Sequence, residues 1–287
     1  MPSTKSDTAK TLKDIVTNRA KEIVSDRYGE ALKAAEQGIG KAVRAIYVAL
    51  PNGNAEHLGS CVLVQVREHR LLVTAAHVVD EIKNGALYIP AAGSTKKLQG
   101  SGAITTPPSG LRRMDRFDFA VLKITTELAE QLGETRYIQQ SEFVAPIPAV
   151  GRAYMALGYP NVRNKNIDHA KRTIKQSKLS VGSTVIEDAP LARKLKVSGD
   201  DHYFIRYDKR TRDPVTRAIT QAIEPTGMSG GGLFDLGFFN LASLTKPPQP
   251  AGLAGILIEY HPDKNRRMVA VKIEALIDTI NNLILAP

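Results

Sequence analysis

The sequence predicts a mainly β fold, a sandwich or a pair of barrels, with an amphipathic helix at each end of the chain. Three observations carry that prediction. From about Ala42 to Lys272, short β-type runs follow one another, bounded by Gly, Pro and Asn. Ahead of them, residues 8 to 37 place apolar side chains at helical spacing among Lys, Arg, Glu and Asp. Behind them, Ile273 to Leu285 returns to helical spacing. Short strands at this density belong to all-β layer architectures.

The first element rests on Leu12, Ile15, Val16, Ala20, Ile23, Val24, Ala31, Leu32 and Ala35, a stripe that ends where Gly38 and Gly40 interrupt it. It is read as one long helix, or two broken near Tyr28-Gly29, and its apolar face must bury against the following domain or a partner. Strands are then expected at Val43–Leu50, Ser60–Val66, Arg70–Thr74, Ala86–Ile89, Phe119–Ile124, Ala153–Leu157, Lys178–Ile186, Tyr203–Tyr207, Leu253–Glu259 and Met268–Lys272. Ile273, Leu276, Ile277, Ile280 and Leu283 mark the closing helix. The division expected is a helical segment over 1–41 and one domain over 42–287.

Composition removes several function classes. The 287 residues are 43% hydrophobic and 24% charged, the balance of a soluble globular chain. With 22 Gly and 16 Pro, the chain is neither collagen-like nor disordered. No apolar run nears the ~18 residues of a membrane span, so neither a spanning helix nor a membrane partner is expected. Met1-Pro2-Ser3-Thr4-Lys5-Ser6-Asp7 has no apolar signal core. Cys61, the single cysteine, permits no intrachain disulfide. A reducing, cytoplasmic location follows as the expectation. Cys61 itself reads as a small buried residue in the strand Cys61-Val62-Leu63-Val64.

The net charge of +10 gathers at Arg112, Arg113 and Arg116, and over 163–178, 206–217 and 264–267. It reads as a solvated basic surface, with a nucleic-acid or acidic partner as the competing reading. No aromatic-interleaved basic motif supports nucleic acid; the chain has 9 Tyr, 7 Phe and no Trp.

Three segments carry chemistry. Val73-Thr74-Ala75-Ala76-His77 ends an apolar strand in small residues and a histidine. Asp118 stands at the mouth of the strand Phe119-Ala120-Val121-Leu122, with Asp115 as a nearby competitor. Ser229 lies inside Gly227-Met228-Ser229-Gly230-Gly231-Gly232. A serine hydroxyl is a weak nucleophile until a base takes its proton. Histidine, with an unperturbed pKa of about 6.5, can accept and return that proton, and a carboxylate fixes its tautomer. Glycines let the backbone turn sharply, so that N–H groups converge on one point as an oxyanion hole.

In the order His, Asp, Ser, these segments resemble the trypsin/chymotrypsin-like serine peptidases, in particular the disulfide-poor bacterial-type branch without a C-terminal peptide-binding domain. Gly59-Ser60 and Leu157-Gly158-Tyr159-Pro160 are similar to two further family motifs. The resemblance covers about residues 42 to 275. It implies two six-stranded-type antiparallel β-barrels of the chymotrypsin-like kind, the first over about 42–135, the second over about 136–272, followed by the helix 273–285. It also implies Ser229 as nucleophile, His77 as general base and then acid, and Asp118 as the residue orienting His77. The N–H groups of Gly227 and Ser229 would form the oxyanion hole. Neither a cofactor nor a metal is called for.

The chain departs from the family's pattern in places. Gly232 stands where a proline is usual, and no Ile-Val-Gly-Gly start is visible, so activation by a freed amine is not expected. Ile223 occupies the position six before the serine, where trypsins keep an acidic residue, while Glu259 closes the strand from Leu253. Ile223, Leu257 and Glu259 are the candidate substrate-pocket residues, and an apolar or small P1 side chain is the expectation, with a basic P1 facing Glu259 as the alternative. His57, His69, His169, His202 and His261 fit no motif and are read as surface or structural.

The function expected is an intracellular serine endopeptidase acting on protein or peptide substrates, with a regulatory protein partner engaging the N-terminal helix. The competing reading is a binding module on the peptidase fold whose basic surface holds an acidic or nucleic-acid partner.

Overall fold

The run from Val43 to Ala49 is rich in β-branched and aromatic side chains, and it forms a strand, β1 (Val43–Ala49), nearly all of it buried. In this computed structural model the chain is described over residues 4–285, except 53, 92–93, 108, 134, 146–148, 166–173, 213–217, 246 and 264. His169 and Lys264, with parts of the basic stretches 163–178 and 206–217, lie outside the described residues.

From β1 the chain returns as β2 (Ala55–Val66), then reverses through Arg67-Glu68, with Arg67 at φ 53°, into β3 (His69–Ala75). Strands β4 (Ala86–Ala91), β5 (Ser94–Lys97), β6 (Gly102–Ile104) and β7 (Phe119–Lys123) extend the sheet in the order β5-β4-β1-β2-β3-β7-β6. A short β8 (Ile138–Gln139) pairs parallel to β2. The second half comprises β9 (Ala153–Gly158), β10 (Leu179–Ile186), β11 (His202–Arg206), a separate hairpin of β12 (Arg210–Arg212) and β13 (Ile219–Gln221), then β14 (Gly232–Gly237), β15 (Gly252–His261) and β16 (Arg267–Lys272). Six of these close a barrel in the order β10-β11-β16-β15-β14-β9.

The chain is therefore mainly β, as expected, but the two halves differ. The second is a closed six-stranded barrel, whereas the first is a sheet whose path ends at β5 and β6. Those two strands are short, and their residues are exposed or half-buried. Such edges offer little apolar surface to drive closure.

One buried apolar cluster runs through both sheets, from Ile46, Leu63 and Val73 to Met155, Phe234 and Val271. A second, containing Tyr154, Tyr203, Met228, Leu257 and Met268, belongs to the closed barrel. Cys61 is fully buried in β2, and burial pushes its thiol up to about 12.

The N-terminal helix, Thr4–Gln37, is unbroken through Tyr28-Gly29. Its C-terminal half packs on the following domain. Ala35 is buried, Tyr28 meets Phe239 edge-on at 5.3 Å, and Ser180 Oγ donates to Glu36 Oε2 at 2.7 Å. Ile15 and Val16, farther toward the N-terminus, remain exposed. The C-terminal helix, Ile273–Leu285, buries Ile273, Leu276, Ile280 and Ile284. It touches β6 and β7 as well as β15 and β16, so it straps the sheet to the barrel. Among the described residues, no helix is long and apolar enough to cross a membrane.

Candidate active site

Strand pairing alone brings the histidine and aspartate segments together. Antiparallel β3 and β7 place Ala75 opposite Phe119, so the residues just past β3 lie beside the residue just before β7. The link is drawn tight where Ala76 N–H donates to the Asp118 carbonyl at 2.9 Å. Ala75 and Ala76, both fully buried, leave room for the chain to turn into the short helix Ala76–Asp80 that carries His77.

Asp118 adopts φ +43°, a left-handed conformation that aspartate tolerates better than most residues. There its carboxylate grips His77 twice. Oδ2 accepts from His77 Nδ1 at 2.6 Å, and Oδ1 accepts from the His77 backbone N–H at 3.0 Å. A carboxylate only accepts, so the ring proton sits on Nδ1 and Nε2 is left bare, the tautomer a general base needs. Burial works against a charged His77. The hydrogen bond and charge of Asp118 outweigh it, with smaller help from Asp80 and Glu259, and the His77 pKa is raised.

Asp115, the competing carboxylate, has other partners. Its Oδ2 accepts from Thr105 Oγ1 and from Arg112 Nη1, each at 2.5 Å. Arg112 also holds both Asp80 oxygens, at 2.7 and 3.1 Å. One guanidinium thus ties the end of the His77 helix to the loop leading into Asp118. The pairing of Arg112 with Asp80, 32 residues apart, carries no local sequence signal.

Ser229 comes from the barrel side. Met228, buried in the barrel's own cluster, anchors the turn from below. Ser60 N–H donates to the Ser229 carbonyl at 2.8 Å and Gly230 N–H to the Leu257 carbonyl at 2.6 Å, fixing the turn between the first sheet and β15. Gly230 has φ +84°, and a Cβ there would lie 2.0 Å from the Ser60 carbonyl oxygen. Beyond it, a Cβ on Gly232 would fall 2.5 Å from the Phe234 ring, so the space for the family's usual proline is filled by a buried aromatic side chain.

His77 and Ser229 line one cleft of about 180 Å³, with Gly227, Met228, Leu257, Ile258, Glu259 and Met268 among its walls. The Ser229 hydroxyl donates to the Ile258 carbonyl at 3.2 Å. The N–H groups of Gly227 and Ser229 find no backbone acceptor among the described residues. The pairing of β15 with β16 shifts register between Leu257 and Glu259, a bulge beside the cleft. Glu259 stands half-exposed on this wall, 3.1 Å from His261 Nε2. Of the three candidate pocket residues, Leu257 and Glu259 line the cleft. Ile223 does not, and its carbonyl accepts from the Tyr207 hydroxyl. Among the described residues, no group of three or more His, Cys, Asp or Glu could hold a metal ion.

Comparison with known proteins is consistent with this architecture. A family model described as a trypsin-like peptidase domain matches residues 59–237. No curated protein matches the chain. Among solved structures, the chain is similar to the HtrA-type protease AlgW with tripeptide, at 18% identity and a TM-score of 0.48. That match covers 88% of this chain and 64% of the AlgW chain, so the chain spans less than two thirds of that relative's length. It is also similar to human heparin binding protein, at 12% identity, covering 86% of this chain and 92% of that one, with a TM-score of 0.53. A structure titled GrC gives 12% identity, 86% and 95% coverage, and a TM-score of 0.51. The last two likenesses bear on the fold.

Proposed function

Because the chain belongs to the trypsin-like peptidase family, we propose that it is a serine endopeptidase with Ser229 as nucleophile, His77 as base and acid, and Asp118 as the group orienting His77. The observation carrying this reading is the Asp118-bound His77, its Nε2 bare, on one wall of the cleft that Ser229 shares. The domain unit proposed for this activity is 42–287, with 1–41 as an appended helix.

Catalysis begins with a rotation of the Ser229 hydroxyl from Ile258 O toward His77 Nε2. As Oγ attacks the substrate carbonyl, its proton passes to Nε2, and Asp118 stabilises the imidazolium. The developing oxyanion is received by the N–H groups of Gly227 and Ser229, which have no backbone acceptor among the described residues. His77 then gives the proton to the departing amine. Water, deprotonated by the same ring, releases the acyl group. Met228, Leu257 and Met268 make the walls largely apolar, which supports an apolar or small P1 residue; a peptide library cleaved solely after Arg or Lys would overturn that preference.

An intracellular role and control by a protein partner belong to the same proposal. The exposed Ile15 and Val16 of the N-terminal helix are the surface offered to that partner. Labelling with a fluorophosphonate serine-hydrolase probe tests the core reading. Wild type should label, while Ser229→Ala and His77→Ala should not; a folded wild type that resists the probe refutes it.

The net charge of +10 favours a second reading, a peptidase-fold module that binds an acidic partner. One structural neighbour is named for heparin binding. Binding through a polyanion's charges would weaken steeply with salt, so a complex insensitive to ionic strength would remove this alternative.

A further inference from the structure

We propose that Asn161, steadied by His57, is a positioning residue that holds the Thr226–Gly227 peptide with the Gly227 N–H facing the cleft. The proposal rests on the peptidase reading above and gives a role to two residues outside every motif of the sequence.

The argument starts from peptide geometry. Asn161 N–H donates to the Thr226 carbonyl at 2.7 Å. In a trans peptide the C=O and N–H point in opposite directions. Tying the Thr226 oxygen to Asn161 therefore sends the Gly227 N–H the other way, toward the cleft that Thr226, Gly227 and Ser229 line. The next peptide is held too, since Ser60 Oγ donates to the Gly227 carbonyl at 3.2 Å.

A lock is needed because glycine makes this peptide easy to turn over. Gly227 sits at φ +94°, and a Cβ there would lie 2.2 Å from Asn161 Oδ1. The site thus demands glycine, and glycine lacks the side-chain sterics that would resist a peptide flip. The restraint must come from outside, and Asn161 supplies it at the closest point of approach.

Asn161 is itself fixed from the opposite sheet. Its Oδ1 accepts from His57 Nδ1 at 2.6 Å. His57, in β2, is buried and meets Tyr47 edge-on at 5.3 Å. Burial lowers its pKa, which keeps the ring neutral with its proton on Nδ1 for the Asn161 oxygen. The chain His57–Asn161–Thr226 thereby runs from the first sheet to the loop that receives the oxyanion.

Asn161→Pro is the decisive variant. It deletes the N–H at the first position of a short helix, where proline is tolerated, after a Pro160 whose ψ of 142° already suits a following proline. Two readouts are followed: the ¹H–¹⁵N resonance of the Gly227 amide and the rate of phosphonylation by the fluorophosphonate probe. The expected result is a displaced Gly227 resonance and a rate lowered on the order of 10²–10³-fold, as for loss of an oxyanion donor. His57→Gln, which can still donate to Asn161, should retain most of the rate, and His57→Leu should not. A Gly227 resonance unmoved in Asn161→Pro overturns the proposal. Should Asn161→Pro fail to fold, an amide-to-ester replacement at residue 161, which removes the same N–H and keeps the side chain, decides by the same resonance. A wild type that does not react refutes the peptidase reading instead, and the Gly227 resonance still decides the role of Asn161.

Discussion

Gly230→Ala tests whether the Ser229 turn is held by close backbone packing. Two costs add. Gly230 sits at φ +84°, and a left-handed conformation costs an L-residue about 1–2 kcal/mol. The new Cβ would also lie 2.0 Å from the Ser60 carbonyl oxygen and 2.2 Å from Thr74 Oγ1. Neither neighbour can step aside cheaply, because Thr74 Oγ1 already donates to that same Ser60 oxygen at 2.6 Å and both residues are fully buried. Relieving such overpacking costs about 1–3 kcal/mol. The sum is about 2–5 kcal/mol, or on the order of 3–8 °C in Tm for a chain of this size. The relief must separate β2 from the Ser229 turn, and a displacement near 1 Å costs roughly 10²-fold in rate. Thermal melts paired with phosphonylation rates measure both effects. Gly133→Ala is the control: its φ is +65° with nothing within 4 Å of the added carbon, so it should lose only the conformational share, about 1–2 kcal/mol. Equal melting losses in the two variants would refute the packing argument. So would a Gly230→Ala protein that reacts within threefold of wild type.

Two further outcomes are expected. His77 must be neutral to act as a base and its pKa is raised above 6.5, so kcat/KM should climb with pH through a limb above 6.5. Glu259→Gln should move that limb down, and a wild-type limb at or below 6.5 contradicts the assignment. By linkage, the stabilisation from charged His77 is fully present below 6.5 and is lost as pH rises through the raised folded-state value. In the barrel, Arg152 grips the buried Asp235 with bonds of 2.9 and 2.6 Å. Arg152→Ala strands that carboxylate and should cost about 3–5 kcal/mol in a urea titration. Adding Asp235→Asn should recover much of the loss; a double variant no more stable than Arg152→Ala would contradict the stranded-charge account.

Much of the fold was legible because its information is local. The strands expected from the sequence end within two residues of the observed bounds, since β-branched runs bounded by turn residues define them, except that β2 begins at Ala55 and not at Ser60, because Ala55-Glu56-His57-Leu58-Gly59 becomes strand only by pairing with β1. The C-terminal helix spans Ile273–Leu285 as its spacing predicts. Of the strands that escaped, Ser94–Lys97, Gly102–Ile104, Ile138–Gln139, Arg210–Arg212 and Ile219–Gln221 are short and carry little alternation, while Gly232–Gly237 is buried throughout and follows the glycine-rich turn with no alternation to mark it. They exist through pairing with a neighbour, and a pairing partner is invisible to a local pattern.

The site divides along the same line. Thr74-Ala75-Ala76-His77, Asp118 and Gly227-Met228-Ser229-Gly230-Gly231 were readable because each proposed role calls for residue types on a few consecutive positions. Only the tertiary structure decided that the first sheet stays open, that Arg112 bridges Asp80 to Asp115, that Phe234 occupies the place of a proline, and that His57 meets Asn161 across 104 residues of chain. The N-terminal helix shows the boundary within one element. Spacing determined its apolar stripe, but which surface covered Tyr28, Leu32 and Ala35 depended on the barrel presenting Phe239 and Ser180 beside them. Periodicity belongs to a segment, whereas contact belongs to a pair of segments that the chain must first bring together.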